Sequence, residues 1–413
     1  MYVMLYIDPG TGSMLFAILI GIITSLMFLW KSFLLKIKFL LNGGRVEESG
    51  KRLPYVIFSD SKRYWNVFKP ICDEFEKRGV QLEYLTASED DPALAAEYEH
   101  VNCRFIGENN KAFAKLNMLD AGILLSTTPG LEVYQWKRSA NVDWYVHIFH
   151  AVDEGTGYRM FGMDYYDAVL LTGAFQEKYI RKLEELRGLP AKELKVAGST
   201  YMDALKEKLD AKTGTKEGKT VLLAPSWGES SILTKYGADI LKALLATGYN
   251  IVVRPHPQSL TSEKAILEPL WKEFPDSEQL HWNYDNDNFE ALWNADIMIT
   301  DFSGIIFDYA LVFGKPIIYA DTSFDPAPYD AAWIEEPLWR FEVLKELGAP
   351  LQKEDFPRMR ELIDELLQQE QGKEAREKVR SEAWQCIGES AKLTVDYMIH
   401  KYEELLSEKE KKC

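Results

Sequence analysis

The chain has 413 residues, with 48 lysines and arginines against 64 aspartates and glutamates, which gives a formal net charge of −16. This length is too great for one ordinary hydrophobic core and predicts two domains with additional segments. The excess of negative charge excludes a protein that wraps a nucleic-acid backbone. The four cysteines, at positions 72, 103, 386 and 413, form no Cys-x-x-Cys pair, which indicates reduced thiols and no disulfide or zinc framework.

An apolar segment lies near the start of the chain. Residues 10–30 contain no charged side chain, and as a helix rising about 1.5 Å per residue they would cross the roughly 30 Å hydrocarbon layer of a bilayer. Positive charges follow this run, at Lys31, Lys36, Lys38 and Arg45, and none precedes it. This order favours a retained anchor over a cleaved signal peptide and predicts a cytoplasmic location for the rest of the chain.

We therefore expect residues 1–45 to form a single-pass transmembrane anchor of the cell membrane with a basic juxtamembrane segment. The catalytic domains would lie on the cytoplasmic side. The alternative is that the apolar residues form a buried hairpin of core helix.

From residue 55 onward, short apolar runs alternate with segments of helical period. The candidate strands lie at residues 55–59, 80–85, 103–106, 122–126, 144–149 and 168–171. One helical face is formed by Trp65, Phe68, Ile71, Cys72 and Phe75, and Gly79 would end that helix. Such alternation is typical of a parallel sheet covered by helices, and it predicts a Rossmann-like domain over residues 46–199.

The same pattern restarts after a polar linker at residues 213–219. Apolar runs follow at residues 221–224, 250–253, 295–300 and 317–319. They predict a second Rossmann-like domain over residues 200–375, before a charged helical extension over residues 376–413. The predicted fold class is therefore α/β, with two facing, doubly wound Rossmann-like domains and an N-terminal transmembrane helix.

A Ser-Gly turn separates a predicted strand from a predicted helix in the second domain. Asp301 ends the strand, Ser303 and Gly304 form the turn, and Asp308 falls in the first turns of the helix. Such a turn directs backbone N–H groups and the positive end of the helix dipole at one point, which suits a phosphate. Asp308 could then reach a ribose hydroxyl. The alternative is a βαβ unit that only packs.

Two further strand ends in the second domain carry polar groups. Arg254 and His256 belong to an Arg-Pro-His-Pro sequence whose prolines hold the backbone extended. They would project from the carboxyl end of a parallel strand, where ligands bind in open α/β sheets, and they suit a diphosphate. Ser226 follows another strand, among small residues that leave room for a ligand. Local hydrogen bonds or a simple turn are the competing explanations.

Histidines of the first domain are candidate general bases. Strand alternation places His147 and His150 on opposite faces, so they cannot act together unless the strand bulges. His150, at the strand exit, is the better candidate because a neutral imidazole can take a proton from an alcohol near pH 7. Asp153 or Glu154, in the acidic loop that follows, could orient it. His147 is predicted to be structural, and a structural role for His150 is the alternative.

Taken together, these motifs resemble the CDP-glycerol glycerophosphotransferase family of teichoic-acid-type polymer synthases. The resemblance rests on Arg-Pro-His-Pro at 254–257, Thr-Asp-Phe-Ser-Gly-Ile-Ile-Phe-Asp-Tyr-Ala at 300–310, Gly-Lys-Pro-Ile-Ile-Tyr at 314–319 and Ala-Pro-Ser-Trp at 224–227. It implies the GT-B architecture. It also implies transfer of a glycerol-phosphate, or a similar polyol-phosphate, from a CDP-activated donor to a hydroxyl of a lipid-linked cell-surface polymer precursor.

The resemblance also implies roles for the candidate residues. His150 would be the base and His256 the second catalytic residue, with Asp153 or Glu154 on the acceptor or orienting side. Members of the family usually carry aromatic-His-Gly-Thr and then a basic residue, whereas Ala-Val-Asp-Glu follows His150 here. The donor-binding set would comprise Arg254, Ser226, Asp301, Ser303, Gly304 and Asp308.

Two other functions fit the same pattern. A nucleotide-sugar glycosyltransferase or a UDP-N-acetylglucosamine 2-epimerase-like enzyme shares the architecture and a Ser-Gly turn before a carboxylate-bearing helix. A catalytically silent membrane scaffold for polymer assembly would bind no nucleotide. The expected partners are the CDP-activated polyol donor, the lipid-linked acceptor and the membrane, without nucleic acid, and no cofactor or metal is demanded. The donor, the acceptor and the oligomeric state stay open at this point.

Overall fold

A computed structural model describes residues 52–214, 218–285, 287–320, 324–368 and 372–412. The predicted membrane span at residues 10–30 lies outside these residues. Within the ranges just given, no helix combines the length and the apolar character needed to cross a bilayer. The strands in these ranges form two sheets of seven and six strands, and every strand pair is parallel.

The first sheet carries the N-terminal domain, and its strand order is β3-β2-β1-β4-β5-β6-β7. Six of its strands confirm the predicted ones to within two residues. The added strand, β7, is short and lies at the edge of the sheet. The strands are β1 (Leu53–Ser59), β2 (Leu82–Thr86), β3 (Val101–Phe105), β4 (Ala121–Ser126), β5 (Val142–Ile148), β6 (Ala168–Leu171) and β7 (Glu193–Val196).

Helices cover both faces of this sheet, which explains why strands such as β4 are buried along their whole length. They are α1 (Trp65–Arg78), α2 (Asn110–Leu116) and α3 (Glu177–Arg187). The predicted apolar face of α1 is buried. Gly79 ends α1 at φ 67°, a left-handed conformation that glycine adopts without strain.

The second sheet has the order β10-β9-β8-β11-β12-β13. Its edge strands, β10 and β13, have three and four residues and were not predicted. A strand this short offers little alternation to detect. The strands are β8 (Thr220–Leu223), β9 (Asn250–Val253), β10 (Leu280–Trp282), β11 (Ile297–Thr300), β12 (Ile317–Ala320) and β13 (Gly348–Leu351).

Most of the remaining helices connect and cover the second sheet, whereas α4 and α14 also contact the first domain. The short helix α9 continues directly into a π-helical turn, Asp308–Val312. The helices are α4 (Thr200–Ala211), α5 (Ile232–Leu245), α6 (Ser259–Ser262), α7 (Lys264–Glu273), α8 (Phe289–Asn294), α9 (Ile305–Phe307), α10 (Trp339–Glu342), α11 (Leu344–Leu347), α12 (Met359–Gln368), α13 (Gly372–Ala383) and α14 (Ser390–Lys412).

The C-terminal helices pack on different domains. Val379 of α13 lies in an apolar core formed mostly by the second domain and joined by Phe175 and Tyr179 of the first, while Val395 and Met398 of α14 lie in the core of the first domain. The indole N–H of Trp144 donates to the hydroxyl of Tyr397 at 3.1 Å and fixes α14 against β5. The chain therefore returns to its first domain after completing the second.

Each sheet has one place where the strand order reverses. It lies between β1 and β4 in the first sheet and between β8 and β11 in the second. The paired residues Phe58 and Ser126, and likewise Leu223 and Ile299, bring the carboxyl ends of these neighbouring strands to one level. The connections then leave in opposite directions, which opens a crevice where ligands bind in doubly wound sheets.

Candidate active site

The crevice of the second domain is held in shape by Asp301. This carboxylate is buried and accepts backbone N–H groups from Ser226 at 2.9 Å, Ile232 at 3.0 Å and Phe302 at 2.8 Å. Both of its oxygens are therefore engaged within the protein. The assignment of Asp301 to donor contact is corrected, because the geometry makes it the link between the loops that follow β8 and β11.

Arg254 and His256 leave the end of β9 beside these loops. The guanidinium of Arg254 donates to the side chain of Asn283 and to the carbonyl of Asp285. His256 Nδ1 accepts the backbone N–H of Gln258 at 3.1 Å. A neutral His256 must therefore carry its proton on Nε2, which makes that nitrogen a hydrogen-bond donor.

Asp308 opens the π-helical turn directly after α9. Burial raises the pKa of its carboxyl to about 8, and a hydrogen bond with Tyr201 opposes that rise. Its Oδ1 has no hydrogen-bond partner among the described residues. Near neutral pH this carboxyl is mostly protonated, so it could both donate to and accept from a hydroxyl of a ligand. Single π-helical turns are frequent at functional sites.

In the first domain, His150 lies two residues beyond β5. Its Nδ1 is 3.0 Å from the hydroxyl of Thr127, which directly follows β4. The ring of Tyr64 covers it at 4.8 Å between centroids. The predicted orienting partners, Asp153 and Glu154, are corrected here, because Thr127 is the side chain that contacts the imidazole.

Asp153 and Glu154 instead face the second domain. Glu154 Oε1 accepts from Nε of Arg340, on α10, at 2.8 Å and from the hydroxyl of Thr156 at 2.7 Å. Asp153 lies 3.8 Å from the same guanidinium. Burial raises the pKa of Asp153, and Arg340 opposes the rise. These carboxylates therefore form an ionic contact between the domains.

His147 occupies a different environment from His150. It is completely buried, and its Nε2 lies 3.0 Å from the hydroxyl of Tyr158. The predicted opposite faces do not keep the two imidazoles apart, because His150 lies beyond the end of β5 and the rings of His147 and His150 lie 5.2 and 6.2 Å from the ring of the same residue, Tyr158. His147 is a core residue, as predicted.

The two crevices meet at Ala151 and Gly304. A Cβ atom on Gly304 would lie only 3.7 Å from the Cβ of Ala151, and Val152 packs in one apolar core with Ile306 and Phe307. The segment that follows His150 therefore lies against the Ser-Gly turn. We call the space between these crevices the interdomain cleft. Its walls are the loops after β1, β4 and β5 on one side and after β8, β9 and β11 on the other.

Sequence reasoning missed the residues that the loop after β1 contributes to the interdomain cleft. Asp60 has a buried Oδ1 without a hydrogen-bond partner among the described residues, and burial raises the pKa of its carboxyl. Arg63 and Tyr64 follow in the same loop. The signal was present, because the polar residues 60–64 directly follow the first predicted strand. Ligand-binding loops follow strand ends in such sheets, and the same argument that selected the loops of the second domain would have selected this one.

The described residues contain one carboxylate–histidine cluster whose ligand atoms lie within 4.8 Å of one another, formed by Glu76, Glu99 and His100. It lies where α1 ends and β3 begins, at the amino edge of the first sheet. Glu76 already accepts the backbone N–H groups of Glu99 and His100 at 2.9 and 2.7 Å. The cluster is therefore separate from the carboxyl edge that forms the interdomain cleft.

One buried histidine, His147, and two half-buried ones, His150 and His256, predict a pH-dependent stability. Burial lowers the pKa of His147 to about 3 and those of His150 and His256 to about 4, from an ordinary value of 6.5. Below pH 6.5 the unfolded chain therefore binds more protons at these sites than the folded chain. We expect stability to fall as the pH drops from about 6.5 towards 4, by about 1.4 kcal/mol per pH unit for each histidine.

Urea unfolding at several pH values checks this expectation. His147→Gln should reduce the slope of stability against pH by about one proton, whatever its effect on stability at neutral pH. Equal slopes for wild type and His147→Gln would contradict the assignment of a buried, neutral imidazole.

Two parallel α/β domains with facing carboxyl edges define the class of GT-B-like enzymes. The family model described as CDP-Glycerol:Poly(glycerophosphate) glycerophosphotransferase matches residues 167–387, which is more than half of the chain. The chain belongs to this family and is a transferase. A search of curated protein sequences found no match.

Solved structures support the architecture. A UDP-N-acetylglucosamine 2-epimerase structure from Listeria monocytogenes is similar with a TM-score of 0.56 and 14% identity, covering 86% of this chain and 98% of that chain. The Neisseria meningitidis UDP-GlcNAc 2-epimerase bound to UDP-GlcNAc is similar with a TM-score of 0.53 and 13% identity, covering 85% of this chain and 100% of that chain. The S. aureus MnaA complex with UDP is similar with a TM-score of 0.53 and 12% identity, covering 83% of this chain and 94% of that chain. At these identities the similarity establishes the fold alone.

Proposed function

We propose that the chain transfers glycerol-phosphate, or a similar polyol-phosphate, from a CDP-activated donor to a hydroxyl of a lipid-linked cell-surface polymer precursor. Family membership supports the reaction class. The observation that carries the proposal is the approach of Ala151 to Gly304, at 3.7 Å between a Cβ on the glycine and that of the alanine. It brings a candidate base from one domain against a candidate phosphate turn from the other.

The donor half of the site would lie in the second domain. Arg254 and the Nε2–H of His256 would donate to the diphosphate, together with the backbone at Ser303 and Gly304. Asp308, with its unpartnered oxygen, would take a ribose hydroxyl. Such fixed donors offset the negative charge that builds on phosphoryl oxygens during transfer. Ser226 would line the donor site through the loop that Asp301 holds.

The acceptor half would lie in the first domain. The acceptor hydroxyl oxygen attacks the β-phosphorus of the donor, and His150 Nε2 takes its proton. The bond from that phosphorus to the bridging oxygen breaks, and CMP leaves with the electron pair. The negative charge of a bound donor favours the protonated form of His150, which moves its pKa from about 4 back towards the range useful for a base.

The membrane would hold the enzyme beside its acceptor. The uncharged run at residues 10–30, with Lys31 and further basic residues behind it, supports a single-pass anchor with the catalytic domains on the cytoplasmic side. An anchored enzyme meets a lipid-linked acceptor by diffusion in two dimensions. The residues at the cleft would then need to recognise only the hydroxyl end of the growing polymer.

The proposal is tested with membranes that carry the full-length chain and have been washed with alkaline carbonate. We expect them to transfer radiolabelled glycerol-phosphate from CDP-glycerol, and calorimetric titration of the purified protein should give tighter binding of CDP-glycerol or CDP-ribitol than of UDP-N-acetylglucosamine. Turnover of the UDP-sugar without turnover of CDP-glycerol would show that the chain is a glycosyltransferase or an epimerase. Absence of any nucleotide binding would indicate a scaffold. Activity in the carbonate supernatant would contradict the predicted membrane anchor.

A further inference from the structure

Arg63 is an exposed cation in the loop that follows β1. Neither a hydrogen bond nor an ion pair joins its guanidinium to any residue that the structure describes, although its charge acts on Asp60, Tyr64 and His256. Its neighbour Lys62 differs, because the ammonium group of Lys62 is paired with Asp90. Of these two adjacent basic residues, Lys62 is therefore ion-paired, whereas Arg63 has no ion pair with the described residues.

The neighbours of Arg63 along the chain place it in the interdomain cleft. The next residue, Tyr64, packs its ring on His150 at 4.8 Å, and the segment after His150 lies against Gly304. Arg63 also lowers the pKa of His256, a residue of the second domain. The guanidinium therefore lies on the first-domain wall of the cleft and faces the end of β9 across it.

Among the described residues, the second-domain wall of the cleft supplies few other positive charges. The guanidinium of Arg254 donates to the side-chain amide of Asn283 and the backbone carbonyl of Asp285, which are uncharged, so Arg254 keeps its positive charge, whereas the guanidinium of Arg340 is paired with Glu154. His256 is neutral near pH 7, since its pKa is about 4. A nucleoside diphosphate ester brings two negative charges, so the second domain by itself would leave part of that charge uncompensated.

We propose that Arg63 is a donor-binding residue of the first domain, whose guanidinium pairs with the non-bridging oxygens of the β-phosphate. This inference rests on the function proposed above. The β-phosphate is the group that is transferred, and it must lie nearest to the acceptor side, where Arg63 and His150 are placed. A planar guanidinium can take two such oxygens at once.

This arrangement separates the two phosphates of the donor. Arg254 and the Ser-Gly turn would hold the α-phosphate, which leaves with CMP. Arg63 would hold only the β-phosphate, which CMP lacks. The assignment therefore predicts different effects on two nucleotides that share the same base and ribose.

The test is calorimetric titration of the full-length protein with CDP-glycerol and with CMP, without acceptor. We expect Arg63→Ala to weaken CDP-glycerol binding about 10- to 100-fold, as for loss of a charge-assisted contact, and to change CMP binding less than about 3-fold. Arg63→Lys should fall between, because it keeps the charge and loses the fork geometry. The matched control is Lys62→Ala, which should bind both nucleotides like wild type.

If wild-type protein binds neither nucleotide, the result overturns both the proposed function and this inference. Wild-type binding with equal affinities for Arg63→Ala and Lys62→Ala overturns the inference alone, and so does an equal loss for CMP and CDP-glycerol. Unchanged thermal unfolding of Arg63→Ala, expected for an exposed side chain, assigns the loss of affinity to the missing contact.

Discussion

Replacing His150 with alanine is expected to lower the turnover of glycerol-phosphate transfer about 10²- to 10⁴-fold, the range for loss of a positioned general base. Donor affinity should stay close to that of wild type, because the donor-binding groups belong mainly to the second domain. The reduction should therefore appear in kcat and not in the Kd for CDP-glycerol. Added imidazole should restore part of the rate by entering the space that the side chain leaves.

The contact made by His150 Nδ1 supports this role. This nitrogen lies 3.0 Å from the hydroxyl of Thr127, and the rings of His150 and His147 both pack near that of Tyr158. If His150 Nδ1–H donates to Thr127, the lone pair of Nε2 is left for the acceptor hydroxyl. Thr127→Val removes the fixed tautomer but keeps the side-chain shape. It should lower kcat by less than His150→Ala does and shift the pH–rate profile.

The control is His281, whose side chain is 66% exposed. His281→Ala should leave kcat unchanged. A folded His150→Ala protein with near-normal turnover would show that another group removes the proton. Asp60 would then be the next candidate, since its unpartnered oxygen lies in the same cleft.

Replacing Arg340 with methionine should destabilise the protein by about 3–5 kcal/mol, as when one partner of a buried ion pair is removed. Glu154 is fully buried, and its side chain would keep the hydrogen bond from Thr156 but lose its only cation among the described residues. Asp153, beside it, would lose the same guanidinium. Urea unfolding at neutral pH measures the change, and the double variant Arg340→Met with Glu154→Gln should recover much of it.

An exposed pair of the same length provides the comparison. Lys353 and Asp239 are also 2.8 Å apart, but their side chains are 61% and 52% exposed. Lys353→Met should change stability by less than about 1 kcal/mol, because solvent screens such a pair. If Arg340→Met were no more damaging than Lys353→Met, Glu154 and Arg340 would not act as the ionic contact between the domains.

The architecture was largely predictable because its signals are local. Apolar runs and helical period gave most strands to within two residues, and the missing strands, β7, β10 and β13, lie at sheet edges where few residues are buried on both faces. The pairing of a Ser-Gly turn with Arg-Pro-His-Pro selected the crevice of the second domain, since ligand-binding loops follow strand ends in the chain itself.

The roles of the acidic residues could not be predicted in this way. Asp301, Asp153 and Glu154 all follow strands, and each was a reasonable ligand for a substrate. The structure pairs Asp301 with Ser226, 75 residues away, and Glu154 with Arg340, 186 residues away. Whether a carboxylate meets a substrate or a protein donor depends on contacts of that length, which no local pattern contains.

By itself, then, the sequence determined the two parallel α/β domains, the family and the strand ends that carry His150, Arg254 and His256. The tertiary structure alone decided that Thr127 contacts His150, that Arg340 forms an ion pair with Glu154, and that Arg63 faces the second domain. The reason is physical: strands and turns are specified by neighbouring residues, whereas the partner of a polar side chain is specified by which distant loops the packed domains bring within about 3 Å of it.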